Sequence, residues 1–212
     1  MSVITEIMGA AETIHSSSKG SHDWEHTLRV YQLASRIARK ENADIFIVKA
    51  AALLHDIARS LEDASGGKKD HAAEGEKLAY GILKSLKLSD DKTARICHCI
   101  GTHRFRGTKR PVLLEAKVLF DADKLDSIGA VGTGRAFLFA GEIGARLHNG
   151  GVKISETKPY TREDTAYREY MVKLRHVKKR MMTGEGKRMA VKRDAFMREF
   201  FTRLDKETRG KI

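Results

Sequence analysis

An all-α fold is predicted for this chain by three observations. Apolar residues recur mostly at steps of three and four. Only two prolines, Pro111 and Pro159, stand in 212 residues. Ala, Leu, Lys, Arg and Glu, which enter helices at little entropic cost, are abundant. The first helix is expected over 23–41, where Leu28, Tyr31, Leu33, Ala34, Ile37 and Ala38 mark one side. A second over 44–58 carries Ile45, Val48 and Ala52. Further helices are expected near 71–87, 90–101, 112–127, 133–147, 162–182 and 187–206. Loops should occupy Ser65 to Asp70, Arg104 to Pro111 and His148 to Pro159. Asn149-Gly150-Gly151 stops one helix, and Thr161 to Asp164 resembles a capping box for the next. No repeat of 20 to 50 residues is visible.

Composition narrows the classes. With 41% hydrophobic and 32% charged residues and no long uncharged apolar run, the chain does not read as membrane-spanning, and it is too apolar for wholesale disorder. Its length suits one domain, here drawn as a core over 1–150 with basic helices over 151–212 packing on it. The start carries Glu6 and Glu12 and lacks a basic region, so a secretory signal is not expected and a cytoplasmic address is the default. The two cysteines, Cys97 and Cys99, fall at i, i+2 on a helix and point apart; they read as small buried residues rather than a disulfide. Residues 151–212 hold 18 basic and 9 acidic residues, so most of the net charge of +12 lies there. That surplus suits nucleic acid, an anionic membrane or a phosphate-bearing substrate, while a solvated helix face accounts for much of it without a partner.

Several polar residues do not fit a plain core. The stretch 47–57, IVKAAALLHDI, is apolar around most of its circumference and should lie inside the fold, yet it ends on His55 and Asp56. An imidazole and a carboxylate there cost about 2 kcal/mol or more each unless paired or bound to a cation. A metal would serve both, and a hydrogen-bonded His-Asp pair is the plainer alternative. His22 and His26 stand at i, i+4 on one face of the preceding helix, though without the glutamate of zinc-protease motifs. Later, Asp121, Asp123 and Asp126 crowd three acids beside the apolar stripe Val118, Ala122, Leu125 and Gly129, so a cation or base must neutralise them; Lys124 could. A mixed imidazole and carboxylate set suits Mn²⁺, Zn²⁺, Fe²⁺, Co²⁺ or Ni²⁺ and leaves room for a reactive water.

The order His26, His55-Asp56, Asp123, set in SHDWEHTLRV, AALLHDIAR and DADKLDSIGA, resembles the HD superfamily of metal-dependent phosphohydrolases. The resemblance covers most of the chain. It is strongest to the branch that includes nucleoside triphosphate pyrophosphohydrolases, through His103 to Arg106, Leu114 to Lys117, Gly132 to Arg135 and Lys187 to Glu199. It implies an HD-domain helical bundle in which His26, His55, Asp56 and Asp123 coordinate one divalent cation, Mn²⁺ first, with Mg²⁺ also in the family's range and Asp121 the rival for the last place. Some members hold a second metal through two further histidines in the interval that here contains His71, His98 and His103. His71 and His103 are chosen as second-site or phosphate contacts, and His98 as structural.

The implied chemistry is hydrolysis of a phosphoanhydride or phosphoester. Asp56 would orient the water, His71 and His103 would serve the reacting phosphates, and Arg59, Lys124 and Arg135 would contact substrate. A small phosphorylated molecule, most naturally a nucleotide, is the expected partner, and oligomeric state is left open. The Gly132/Gly134 pair is expected to permit close packing. Met171, Met181, Met182, Met189 and Met197 are read as core filling, and His15, His148 and His176 as surface residues. The competing class is a nonenzymatic RNA- or nucleotide-binding protein whose metal is structural, for which no base-recognition signature is visible.

Overall fold

The structure, a computed structural model, describes residues 2–15, 23–104 and 109–212. His22 and Arg106 lie outside them. All regular structure among the described residues is helical. The chain divides into two compact units, Met1–Asp123 with Met182–Gly186 and Lys124–Met181 with Lys187–Ile212.

The first unit contains α1 (Val3–His15), α2 (Trp24–Glu41), α3 (Ile45–Leu54), α4 (Arg59–Ala64), α5 (His71–Ser85), α6 (Asp90–Thr102) and α7 (Leu114–Asp126) up to Asp123. Helix α3 is at its centre and packs against α1, α2 and α6. That position follows from its sequence: Ile47, Val48, Ala50, Ala51, Ala52, Leu53 and Leu54 are buried around the whole helix. Full burial of Leu53 and Leu54 contributes roughly 2–3 kcal/mol each from apolar area removed from water. Around it, Ile7 and Ala11 of α1, Val30, Ala34 and Ile37 of α2, and Ile96 and Ile100 of α6 close the core.

Local chemistry starts and stops these helices. Asp23 caps α2 by accepting from the His26 amide at 2.9 Å, Asp44 caps α3 through the amides of Phe46 and Ile47, and Asp70 caps α5 through those of Ala72 and Ala73. Asn42 ends α2 in the left-handed region at φ 56°, its amide returning to the Ala38 carbonyl. The caps place His26 in the first turn of α2 and make His71 the first residue of α5.

The second unit contains α8 (Gly129–Glu142), a 3₁₀ turn over Ile154–Glu156, α9 (Ala166–Val172), a 3₁₀ stretch over Leu174–Arg180, and α10 (Gly184–Glu207) from Lys187 onward. Phe201, buried, stacks on Tyr170 with centroids 4.5 Å apart and meets Phe200 edge-on at 5.3 Å. A Cβ at Gly132 would lie 2.1 Å from the Ser127 carbonyl oxygen, so that glycine serves close packing; Gly134 faces open space.

Several boundaries differ from expectation. The helix expected over 44–58 stops at Leu54, where the His55 ring takes the Ala52 carbonyl and residues 55–58 become turns. The helix expected over 133–147 runs from Gly129 to Glu142 and is ended by the turn before Gly144 at φ 68°. The one expected over 162–182 is α9 plus a 3₁₀ stretch, and its cap is Thr165, not Thr161; Asp164 instead accepts from the Tyr160 amide. Helices α1 and α4 were not expected, although Ile4, Ile7, Met8 and Ala11 carry helical spacing. His15 is buried, and the His148 side chain is held by Asp205 at 3.1 Å, so neither is a surface residue; His176 is exposed. Met181 and Met197 are buried, while Met182 is 38% exposed.

Candidate metal centre

Four helix ends in the first unit deliver four histidines in two matching pairs. His26 and His71 come from the first turns of α2 and α5, while His55 and His103 are the C-cap residues of α3 and α6. Within each pair the imidazoles meet through Nε2, at 3.4 Å for His26 and His55 and at 3.2 Å for His71 and His103.

Asp56 lies between the pairs. Its Oδ2 is 3.6 Å from His26 Nε2 and 3.5 Å from His55 Nε2, and its Oδ1 is 3.5 Å from His71 Nε2 and 3.4 Å from His103 Nε2. From α7, Asp123 Oδ1 reaches to 3.6 Å from His26 Nε2. The structure thus forms two groups that could hold a metal ion, His26, His55 and Asp123, and Asp56, His71 and His103, each with its ligand atoms within 4.8 Å of one another.

The donor chemistry fits divalent cations. A helix C-terminus leaves carbonyls open, and the C-cap histidines use them: His55 Nδ1 donates to the Ala52 carbonyl at 2.8 Å and His103 Nδ1 to the Ile100 carbonyl at 2.6 Å. A carbonyl only accepts, so the proton sits on Nδ1 and the Nε2 lone pair faces the site. His71 Nδ1 meets the Glu62 carboxylate, which turns its Nε2 inward in the same way. Two lone pairs and a carboxylate oxygen then converge within 3.5 Å, an arrangement that repels itself unless a cation or an extra proton lies between them. Protonation is disfavoured: burial holds the His55 imidazole below the ordinary histidine range against the attraction of Asp56, and burial does the same for His71, with His103 adding to it.

Other acidic residues are engaged elsewhere. Asp121, fully buried, accepts from the Met182 amide at 2.9 Å, the Thr183 amide at 2.7 Å and the Thr183 hydroxyl at 2.7 Å, while burial raises its carboxyl above the usual range. It therefore anchors the segment that opens α10 and does not join the histidines. Asp126 receives Arg135 at 2.9 Å in the second unit. Arg59 is half-buried beside Glu62 and Asp63, each at 3.4 Å. His98 accepts from the Val112 amide at 3.3 Å, in keeping with a structural part. Glu62 had no signal of its own in the sequence, because its partner His71 lies nine residues away in the next helix.

A helical fold that gathers buried histidines and aspartates at helix ends defines a metal-binding protein of the His-Asp class. The chain belongs to the HD superfamily: the HD domain model matches residues 23–128. It is 35% identical over 203 residues to the uncharacterized protein YpgQ of Bacillus subtilis, covering 94% of this chain and 90% of that one. The crystal structure of YpgQ in complex with ADP matches with a TM-score of 0.76 at 32% identity, covering 99% of this chain and all of the other. An HD-superfamily hydrolase from Bacillus thuringiensis matches with a TM-score of 0.77 at 25% identity, covering 97% and 96% of the two chains. Ribonuclease Y of Desulforamulus reducens is 28% identical over 111 residues, 52% of this chain but only 19% of that protein.

Proposed function

We propose that the protein is a metal-dependent phosphohydrolase that cleaves a nucleotide phosphoanhydride or phosphoester, in the manner of a nucleoside triphosphate pyrophosphohydrolase. The observation that carries this is the placement of Asp56, one oxygen toward His26 and His55 and the other toward His71 and His103. Membership of the HD superfamily supports hydrolysis, and the ADP in the YpgQ crystal supports a nucleotide. A formal charge of +12 favours a polyanionic substrate.

In this proposal His26, His55, Asp56 and Asp123 hold one divalent cation, Mn²⁺ being the first choice among the several that a mixed imidazole and carboxylate set accepts. When bound there, such a cation supplies Lewis acidity toward water and the phosphoryl group. Asp56, accepting a hydrogen bond, orients the attacking water. His71 and His103, each with its Nε2 lone pair turned inward, serve a second cation, or, when Nε2 carries a proton instead, donate to the phosphate oxygens. Arg59 is the guanidinium of the first unit proposed to exchange its carboxylate partners for phosphate. Lys124 and Arg135 belong to the second unit, where Arg135 pairs with Asp126 at 2.9 Å. Among the described residues no helix is long and apolar enough to cross a membrane, and a cytoplasmic nucleotide pool is the proposed source of substrate.

The test is product analysis with metal-stripped protein, a mixed panel of nucleoside mono-, di- and triphosphates, and added Mn²⁺. Release of phosphate or pyrophosphate that requires the cation and vanishes in Asp56→Ala supports the proposal. Tight nucleotide or RNA binding without turnover on any panel member would replace it with a binding protein whose metal is structural.

A further inference from the structure

We propose that Glu62 is a positioning residue: it sets the tautomer and aim of His71, and through them the affinity of a second cation at Asp56, His71 and His103, an assignment that deepens the hydrolase site proposed above. The geometry distinguishes His71 from the two C-cap histidines. His55 and His103 sit at helix C-caps and orient their rings on carbonyls three residues back, at Ala52 and Ile100. His71 is the first residue of α5, and a helix N-terminus has open amide groups but no open carbonyls. Its ring must take its acceptor from outside its own helix.

Glu62, buried on α4, supplies that acceptor. Its Oε2 meets His71 Nδ1 in a close contact, which puts the ring proton on Nδ1 and leaves Nε2 facing Asp56 Oδ1 and His103 Nε2. Two guanidiniums offset the burial of the Glu62 carboxylate: Arg104 Nη2 donates to Oε1 at 2.8 Å, and Arg59 Nη1 stands 3.4 Å from Oε2. Arg104 also donates to Asp70 at 2.7 Å, and Asp70 caps α5 immediately before His71. One guanidinium therefore ties the cap that places His71 to the carboxylate that turns it. Outer partners of this kind alter metal affinity by about 10- to 100-fold when removed.

The experiment titrates the full, metal-stripped chain with Mn²⁺ followed by electron paramagnetic resonance, in wild type, Glu62→Gln, Glu62→Ala, His71→Ala and the Glu62→Ala/His71→Ala pair. Glu62→Gln keeps the side-chain volume and carries the test if the alanine variant does not fold. Wild type is expected to take up two Mn²⁺. Glu62→Gln should keep one with unchanged affinity and bind the other about 10-fold or more weakly. The double variant should bind no more weakly than His71→Ala, because both changes act through one ring. Nitrogen chemical shifts of His71 should show an Nδ1–H tautomer in wild type and a mixture in Glu62→Gln. Two Mn²⁺ bound equally well by wild type and Glu62→Gln would overturn the role of Glu62 and leave the hydrolase site standing. A single Mn²⁺ in wild type would remove the second position and this role with it, and no Mn²⁺ at all would overturn the hydrolase site as well.

Discussion

His71 and His103, 32 residues apart in sequence, meet Nε2 to Nε2 at 3.2 Å, one from the start of a helix and the other from the end of another. His26 and His55, 29 residues apart, repeat the construction at 3.4 Å. Asp56 stands between the pairs and shares one carboxylate oxygen with each, so the two halves of the site are coupled through a single side chain.

That coupling makes Asp56 the most damaging position to change. Asp56→Ala is expected to deplete all bound divalent metal and abolish turnover, whereas His55→Ala should empty the half nearer His26 and leave residual binding at His71 and His103. Elemental analysis of the purified variants beside wild type checks this. Full metal occupancy in both variants would refute the assignment of the site.

Asp123 and Asp121 stand two positions apart on one helix but face different partners. Asp123→Asn should abolish activity with little change in melting temperature. Asp121→Asn should weaken activity and lower stability by about 1–3 kcal/mol, because a buried acceptor of three hydrogen bonds is replaced by a group that fits only some of them. Thermal melts and turnover measured on the same preparations decide it, and the reverse ranking would transfer the ligand role to Asp121.

His71→Ala and His103→Ala should lower turnover by roughly 30-fold, the equivalent of a transition-state contact worth ~2 kcal/mol. Thermal stability should change less, since each ring faces the site rather than apolar packing. Wild-type turnover in both variants would leave a single-cation mechanism on His26, His55, Asp56 and Asp123.

Asp23 accepts from the His26 amide at 2.9 Å and so holds the turn that carries His26. Asp23→Ala is expected to cost about 1 kcal/mol of stability and to weaken Mn²⁺ binding several-fold, while Asp23→Ser, another good cap, restores both. Calorimetric Mn²⁺ titration alongside thermal melts separates the cap from a general loss of fold. Unchanged binding in Asp23→Ala would show that the cap does not help place His26.

Burial pushes the Cys97 thiol to about 11 and the Cys99 thiol to about 12. Native protein at pH 8 should therefore react slowly with a thiol-specific reagent, and both thiols should titrate at once in denaturant. The unfolded thiols ionise near 9.0, so between that pH and 11 the folded chain holds more protons and its stability should fall as pH rises. Denaturant melts from pH 8 to pH 10 on wild type and Cys97→Ala/Cys99→Ala read the difference. A wild-type slope no steeper than that of the variant would contradict the raised thiols.

Helix identity was legible because it is local. Apolar spacing in α2, α5 and α6 acts within a few residues, as do the caps found before them, Asp23, Asp70 and Ser89, and the structure follows that spacing closely. The buried character of α3 was legible from its continuous apolar stretch, but its end was not: the His55 ring competes for the Ala52 carbonyl, and the helix stops four residues earlier than its apolar pattern suggests. The sequence preferred Asp123 to Asp121 only through the family resemblance, because two acids on one helix look alike locally; what sets them apart in space is that Asp123 lies 3.6 Å from His26 while Asp121 takes the amides of Met182 and Thr183, 61 and 62 residues downstream.

The sequence by itself determined an all-helical chain and a set of histidines and acids too polar for the apolar segments that carry them. Only the tertiary structure decided which of them meet. Caps and periodicity are short-range, fixed by dihedrals and by hydrogen bonds over three or four residues. The facing of His26 on His55 and of His71 on His103, with Asp56 between and Glu62 behind, depends on the packing of α2 on α3 and of α5 on α6, and on where each helix ends to within one turn.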